Sequence, residues 1–326
     1  MDHIPAEDMP AVANVSLAVV QETINAGVWV SAADSKTRRR ASGTVPITRS
    51  EEGPRDARTT RTAARLRSPS CGGYRREMYV EANDGRFWVV EKGEGSAVVF
   101  FHFGLGDWRV FEPQLEALAD DFRCIAYDRR FYGRTEAPDE PYAPVDDAVA
   151  LLDALEVERA ALVGVSGGGG LALDVAYAHP ERVTALVHIA APVAGLPLIM
   201  SPELEAAYAA AKTREEEIAV DMEVWAPLGA EDLFHELRLQ APSGELPEAA
   251  KSPPVVLEDV RVPTLVVIAK HDPPELSDAG REAARRIAGA RFVEVDSDHY
   301  LTLREPELVT GLIRDFLLRN EEVSSG

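Results

Sequence analysis

Cysteine is nearly absent from this chain of 326 residues, which has only Cys71 and Cys124. One lies in a polar front segment and the other in an apolar run, so neither a disulfide framework nor a metal-spaced cluster is available and a reducing compartment is expected. Long apolar runs are also missing. No stretch of about 18 or more apolar residues exists to span a bilayer. The most apolar early stretch, residues 11–20, follows Asp2, Glu7 and Asp8 without any Lys or Arg, which is not the pattern of a secretory signal. The expected location is therefore cytoplasmic, with no membrane as partner.

Positive charge is scarce as well: 34 Lys and Arg stand against 55 Asp and Glu, for a net charge of −21. Residues 1–77 hold 12 basic and 9 acidic residues, so the remainder carries a net charge near −24. Such an acidic body repels nucleic acid and anionic membrane, and neither is expected as a partner. No phosphate-cradling glycine loop precedes a Lys-Ser/Thr pair, and no cofactor or metal is expected.

What is present falls into two parts. Between Lys36 and Arg76 the chain is crowded with Arg, Ser, Thr, Pro and Gly and has almost no large apolar residues, so residues 1–77 are expected to form a disordered extension. From Met78 the pattern becomes globular. Residues 78–82 and 87–91 read as strands joined by Asn83-Asp84-Gly85, a hairpin signal. Residues 97–101 read as a strand buried on both faces. Helix (112–119), strand (123–127), helix (145–155), strand (160–164), helix (from Ser166) and strand (183–189) then alternate, which predicts a parallel sheet covered on both sides. Sites in such sheets lie at the carboxyl ends of the strands. From 193 to 259 the alternation stops. Residues 203–222 are helical in character, prolines and glycines interrupt the stretch from Pro227 to Pro254, and the whole segment is expected to be a helical lid. Alternation resumes with strand 264–269, helix 277–287, strand 291–295 and helix 305–319, before a short tail at 321–326.

The chemistry is carried by Gly164-Val165-Ser166-Gly167-Gly168, a Gly-x-Ser-x-Gly run between an apolar strand and a helix. Residues without a Cβ on either side of the serine let the backbone pack tightly while the serine takes a strained conformation. Strand 264–269 ends at Asp272, in a turn stiffened by Pro273 and Pro274. Strand 291–295 ends near His299. The order Ser166, Asp272, His299 is nucleophile, acid, histidine. A serine hydroxyl needs a neighbouring imidazole to take its proton, and a carboxylate to fix that imidazole's tautomer. His271 and Asp298 are neighbouring decoys, and Asp278 is a weaker acid candidate. An oxyanion would take the N–H of Gly167 and a second donor from the loop after residues 97–101, Gly104 first and Leu105 second.

These motifs resemble the α/β-hydrolase superfamily, in its small-lid esterase, haloperoxidase-like and enol-lactone hydrolase branch. The resemblance covers about residues 78–320. It rests on the loop His102 to Gly106, on Tyr127-Asp-Arg-Arg-Phe-Tyr-Gly-Arg-Thr135, on the elbow, on Ala176-Tyr-Ala-His-Pro-Glu-Arg-Val183, and on the strand endings at Asp272 and His299. It implies an α/β fold with a mostly parallel eight-stranded sheet flanked by helices. The core would comprise 78–192 and 260–320, with a small helical lid, 193–259, between strands six and seven. It also implies a cofactor-free serine hydrolase whose small-molecule substrate is a carboxylic ester or lactone. Carbon–carbon bond hydrolysis or perhydrolysis on the same triad, and a non-catalytic ligand-binding role, stand as alternatives. Phe103, Leu105, Trp225, Leu228, Phe234 and Tyr300, with Leu233, are the expected pocket residues. Two departures stand out: Phe103 and Phe131 occupy positions where the family usually has glycine. The expectation is a compensated swap in which the two rings fill one space.

Overall fold

A computed structural model describes residues 75–197, 201–242, 246–247 and 249–324. The expected disordered extension therefore lies outside the described residues, apart from Arg75, Arg76 and Glu77, as does Cys71. The first two strands, β1 (Arg76–Ala82) and β2 (Gly85–Lys92), form the expected hairpin. Asn83 and Asp84 have φ of 44° and 59°. A two-residue turn with positive φ at both positions matches the twist of its strands, and Asn and Asp tolerate that region. β1 starts two residues before Met78, because Arg76 pairs with Glu91 across the ladder. Arg75 extends the anchorage: its guanidinium lies 4.5 Å from the Trp108 ring centroid and 2.7 Å from Glu112.

The chain then alternates through β3 (Ala97–Phe101), α1 (Glu112–Leu118), β4 (Arg123–Tyr127), α2 (Pro144–Ala154), β5 (Ala160–Val165), α3 (Gly167–Ala178) and β6 (Val183–Ile189). Three further helices precede β7: α4 (Pro202–Ala210), α5 (Arg214–Trp225) and α6 (Asp232–Gln240). β7 (Thr264–Ala269), α7 (Pro274–Arg286), β8 (Arg291–Val295), α8 (Leu301–Arg304) and α9 (Pro306–Ser324) complete the chain. The eight strands form one sheet in the order β1-β2-β4-β3-β5-β6-β7-β8. β2 is antiparallel to both neighbours and every other pairing is parallel. The sheet is thus mostly parallel, and its central strands read as apolar runs because both faces are covered. One face packs on Leu115 of α1 and Phe316 of α9; the other packs on Leu151 of α2, Val175 of α3 and Ala283 of α7.

The segment between β6 and β7 differs from expectation in two respects. The helical stretch 203–222 is two helices, because Thr213 caps α5: its hydroxyl accepts from the Glu216 N–H, and the Glu216 carboxylate accepts from the Thr213 N–H. α6 was not expected at all, since its breakers, Pro227, Gly229 and Pro242, flank the helix without entering it. Phe234 and Leu237 form its buried face. A buried polar chain ties the three helices together. Arg238 Nε donates to Asp221 Oδ2 at 2.5 Å, Tyr208 donates to Asp221 Oδ1 at 2.7 Å, and Trp225 Nε1 donates to the Tyr208 hydroxyl at 3.2 Å. Among the described residues, no helix is long and apolar enough to cross a membrane.

The anchorage of β1 can be tested by comparing a chain that begins at Arg75 with one that begins at Met78. Loss of the Arg75 and Arg76 contacts is expected to cost about 1–2 kcal/mol, read as a lower urea midpoint for the shorter chain. Equal midpoints would show that the first three residues contribute nothing.

Candidate active site

Ser166 stands between β5 and α3 with φ 53° and ψ −129°, a conformation that non-glycine residues rarely hold. Its backbone is fixed from both sides. The Ser166 N–H donates to Ile189 O at 2.9 Å, and its carbonyl accepts from the Gly170 N–H at 3.0 Å. The glycines around it permit the approach of neighbouring backbone. A Cβ on Gly164 would lie 2.3 Å from Gly168 O, and one on Gly168 would lie 2.1 Å from Phe101 O and 2.4 Å from His102 O. The first turn of α3 is therefore pressed against the end of β3, where the loop His102 to Gly106 begins.

His299, after β8, meets Asp272, after β7. The imidazole Nδ1 lies 3.1 Å from both carboxylate oxygens, and both side chains are buried. A carboxylate only accepts, so Nδ1 carries a hydrogen and Nε2 is the nitrogen turned away from Asp272. Burial pushes the Asp272 carboxyl above the usual range, and His299 pulls it the other way. The other acids have other partners. Asp296 takes His271 Nε2 at 2.9 Å on the surface, and exposed Asp278 faces Arg281 at 3.4 Å. Asp298 is buried, but it holds Arg304 at 3.1 and 3.0 Å and caps the N–H groups of Tyr300 and Leu228. Among the described residues, no hydrogen bond joins Ser166 Oγ to His299. The structure brings acid and imidazole together and does not bond the serine hydroxyl to them. The Trp225 ring sits 4.6 Å from the imidazole, and the Trp225 carbonyl accepts the His299 N–H at 3.2 Å.

The loop after β3 is held by His102. Its Nε2 accepts from the Arg129 N–H at 2.9 Å, so Nδ1 is the protonated nitrogen and donates to Phe103 O at 2.7 Å. Burial, and then the charge of Arg129, keep this imidazole neutral, with a pKa well below the ordinary value. The loop after β4 is held by Asp128, which accepts from the N–H groups of Trp108 at 3.0 Å and Arg134 at 2.8 Å. Gly133, at φ +53°, leaves room for it, since a Cβ there would lie 2.1 Å from Asp128 Oδ2.

The compensated swap of Phe103 and Phe131 does not occur. Phe103 is fully buried and meets Tyr300 and His299 edge-on, with centroids 5.1 and 5.8 Å away. Phe131 packs on Tyr142 at 5.3 Å instead. Its φ of 68° is the left-handed conformation that a glycine would hold without strain. The expected pocket residues divide likewise. Phe103, Leu105, Trp225, Phe234 and Tyr300 are buried in one apolar cluster, with Phe234 stacked on Tyr300 at 3.9 Å. Leu228 is 45% exposed and contributes only its N–H, to Asp298; Leu233 is also exposed. Sequence reasoning missed Arg129, which lines a cavity with Gly167, and the buried Asp221–Arg238 pair. Arg129 lies within the motif Tyr127 to Thr135, and nothing in its spacing sets it apart from Arg130.

A strained serine between a central parallel strand and its helix, with a buried His–Asp pair at later strand ends of a mostly parallel sheet, defines an α/β fold of the hydrolase class. The profile of the alpha/beta hydrolase family matches residues 98–311, and the chain belongs to that family. It is 49% identical over 85 residues to the 2-hydroxymuconate semialdehyde hydrolase of Pseudomonas sp. strain CF600, a match covering 25% of this chain and 29% of that relative. Across three curated relatives it matches, the chain spans between 29% and 41% of their length. Among solved structures, it resembles the enol-lactonase from Burkholderia xenovorans LB400 (TM-score 0.60, 25% identity, 74% of this chain and 99% of that one). It also resembles Est816, described as an N-acyl homoserine lactone degrading enzyme (TM-score 0.63, 26% identity, 73% of this chain and 99% of that one).

Two glycine substitutions of opposite sign test the packing at the elbow. Gly168→Ala must displace the end of β3 and is expected to destabilise by about 3 kcal/mol or more. Gly311→Ala, in α9 with nothing within 4 Å of the added methyl, is expected to stabilise by about 0.5–1 kcal/mol. Thermal unfolding of both variants checks this, and a Gly168→Ala protein as stable as the parent would refute the close approach.

Proposed function

We propose that this protein is a cofactor-free serine hydrolase that cleaves a carboxylic ester or lactone through an acyl-enzyme on Ser166. The single observation that carries the reading is the buried Asp272–His299 pair, bonded through Nδ1, at the same sheet edge as the strained serine. Ser166 Oγ attacks the acyl carbon while His299 Nε2 takes its proton. Asp272 holds the tautomer and stabilises the imidazolium that forms. The Gly167 N–H, at the positive end of α3, and the Gly104 N–H receive the developing oxyanion. Collapse breaks the bond to the leaving oxygen, which takes the proton back from His299. Water, deprotonated by the same imidazole, then releases the acid and regenerates Ser166.

Residues 193–259 act as the lid in this reading. Trp225 covers the imidazole, so substrate entry requires the end of α5 to withdraw, after which Ser166 and His299 can close their hydrogen bond. Phe103, Leu105, Phe234 and Tyr300 then border the acyl site. The names of the two solved structures above support an ester or lactone substrate. A second reading, carbon–carbon bond hydrolysis on the same residues, is favoured by the 49% local identity to a semialdehyde hydrolase.

Ser166→Ala is expected to lower kcat on a short-chain ester by about 10⁴-fold or more while thermal unfolding stays close to that of the parent. A fluorophosphonate probe should label the parent and not the variant. An unlabelled parent would leave a ligand-binding member of the fold, and turnover of dienones in preference to esters and lactones would select the second reading.

A further inference from the structure

Arg129 opens the loop after β4, and it is an unusual arginine. It is 7% exposed, yet its Nε and Nη2 have no hydrogen-bond partner among the described residues. None of the ion pairs among the described residues includes it, whereas its neighbour Arg130 is held by both oxygens of Asp147, at 2.7 and 2.6 Å. The Tyr132 ring, 4.7 Å from the guanidinium carbon, supports the plane of the group. A buried charge without a counter-ion carries a large desolvation cost, and such a group in a folded protein calls for one. The two unpaired donors are also a matched set. Nε and Nη2 share one edge of the guanidinium and are spaced to meet both oxygens of one carboxylate.

Arg129 lines a cavity with Gly167, Leu171, Asp174, Lys251 and Ser252. Gly167 begins α3, so the positive end of that helix borders the same space. Past Pro144, Asp174 and Ser252 the cavity adjoins a larger groove between α2 and residues 250–255. Among the described lining residues Asp174 is the one carboxyl group; burial pushes it up to about 7, which favours its neutral form and weakens it as a rival for the arginine.

We infer that Arg129 anchors a carboxylate borne by the substrate, which makes the preferred substrate a monoanionic ester or lactone with its free carboxylate in the cavity beside the elbow. The inference rests on the reading of Ser166 as nucleophile. It adds what that reading lacks, a charge preference and the residue that sets it.

Two measurements test it. In the first, kcat/KM is determined for the monoethyl esters of succinate, glutarate and adipate and for uncharged ethyl esters of the same chain lengths. The parent should prefer the best monoanion by about tenfold or more. Arg129→Gln should reduce that preference by about 10- to 100-fold, mainly through KM, and Arg129→Lys should restore part of it. No preference in the parent, or an equal loss on both series in Arg129→Gln, would overturn the assignment. The second measurement needs no turnover. Succinate, glutarate or adipate should raise the unfolding temperature of the Ser166→Ala protein and leave that of Ser166→Ala/Arg129→Gln unmoved; no shift in the single variant also overturns it. A shift in a protein that turns over no ester would uphold the anchor while sinking the hydrolase reading.

Discussion

The candidate-site edge of the sheet depends on one close approach, that of the first turn of α3 to the end of β3. A single methyl on Gly168 would reach within 2.1 Å of Phe101 O, so no side chain fits between them. The approach follows from the sheet itself, because β3 and β5 are adjacent parallel strands that pair Phe101 with Gly164. With the strands in that register, the chain leaves β5 for α3 directly beside the loop that follows β3. The strained backbone of Ser166 is the consequence. Its cost, about 1–3 kcal/mol for a residue held in such a region, is offset by the hydrogen bond to Ile189 O and by the start of a well-packed helix.

The neighbouring loops are fixed by buried polar groups rather than by apolar packing. His102 spans two of them, receiving the Arg129 N–H and donating to the Phe103 carbonyl, and Asp128 spans Trp108 and Arg134. With both loops pinned, the Phe103 side chain has a single place to go, and it goes over His299 and Tyr300. From there the aromatic contacts run to Phe234 and Trp225, which belong to the insertion. The side chain in place of a family glycine thus joins the insertion to the imidazole. The backbone bond from His299 to Trp225 O reinforces that link.

Where a signal was local, the sequence carried it. The hairpin at Asn83-Asp84-Gly85, the apolar central strands and the glycine pattern of the elbow are each dictated by neighbouring residues, and each appears in the structure within a few residues of its expected bounds. Asp272 could be separated from Asp278 and Asp298 because strand endings order the chain along the sheet edge. Signals that depend on tertiary contact were not legible. α6 owes its existence to two apolar positions that gain a core only when the insertion folds back on Tyr300. The places of Phe103 and Phe131 depend on which rings face them across loops, and spacing along the chain carries no such information. Leu228 looked like a pocket residue by its hydrophobicity alone, whereas its position is set by the bond from its N–H to Asp298.

Arg129 also illustrates how far composition reaches. The net charge near −24 of residues 78–326 is the ground for expecting no large polyanion as partner. That repulsion is spread over a surface and screened beyond about 8 Å at physiological salt. The arginine acts at contact distance, in a buried site where the effective dielectric is lower and water does not compete for its donors. Nucleic acid or an anionic membrane would meet the surface, where the acidic field is felt. For a small molecule with one carboxylate, which passes the surface and reaches the cavity beside Gly167, the local pair decides. The expected repulsion of polyanions and the proposed selection of a monoanion are therefore compatible, because the two act at different distances from the charge.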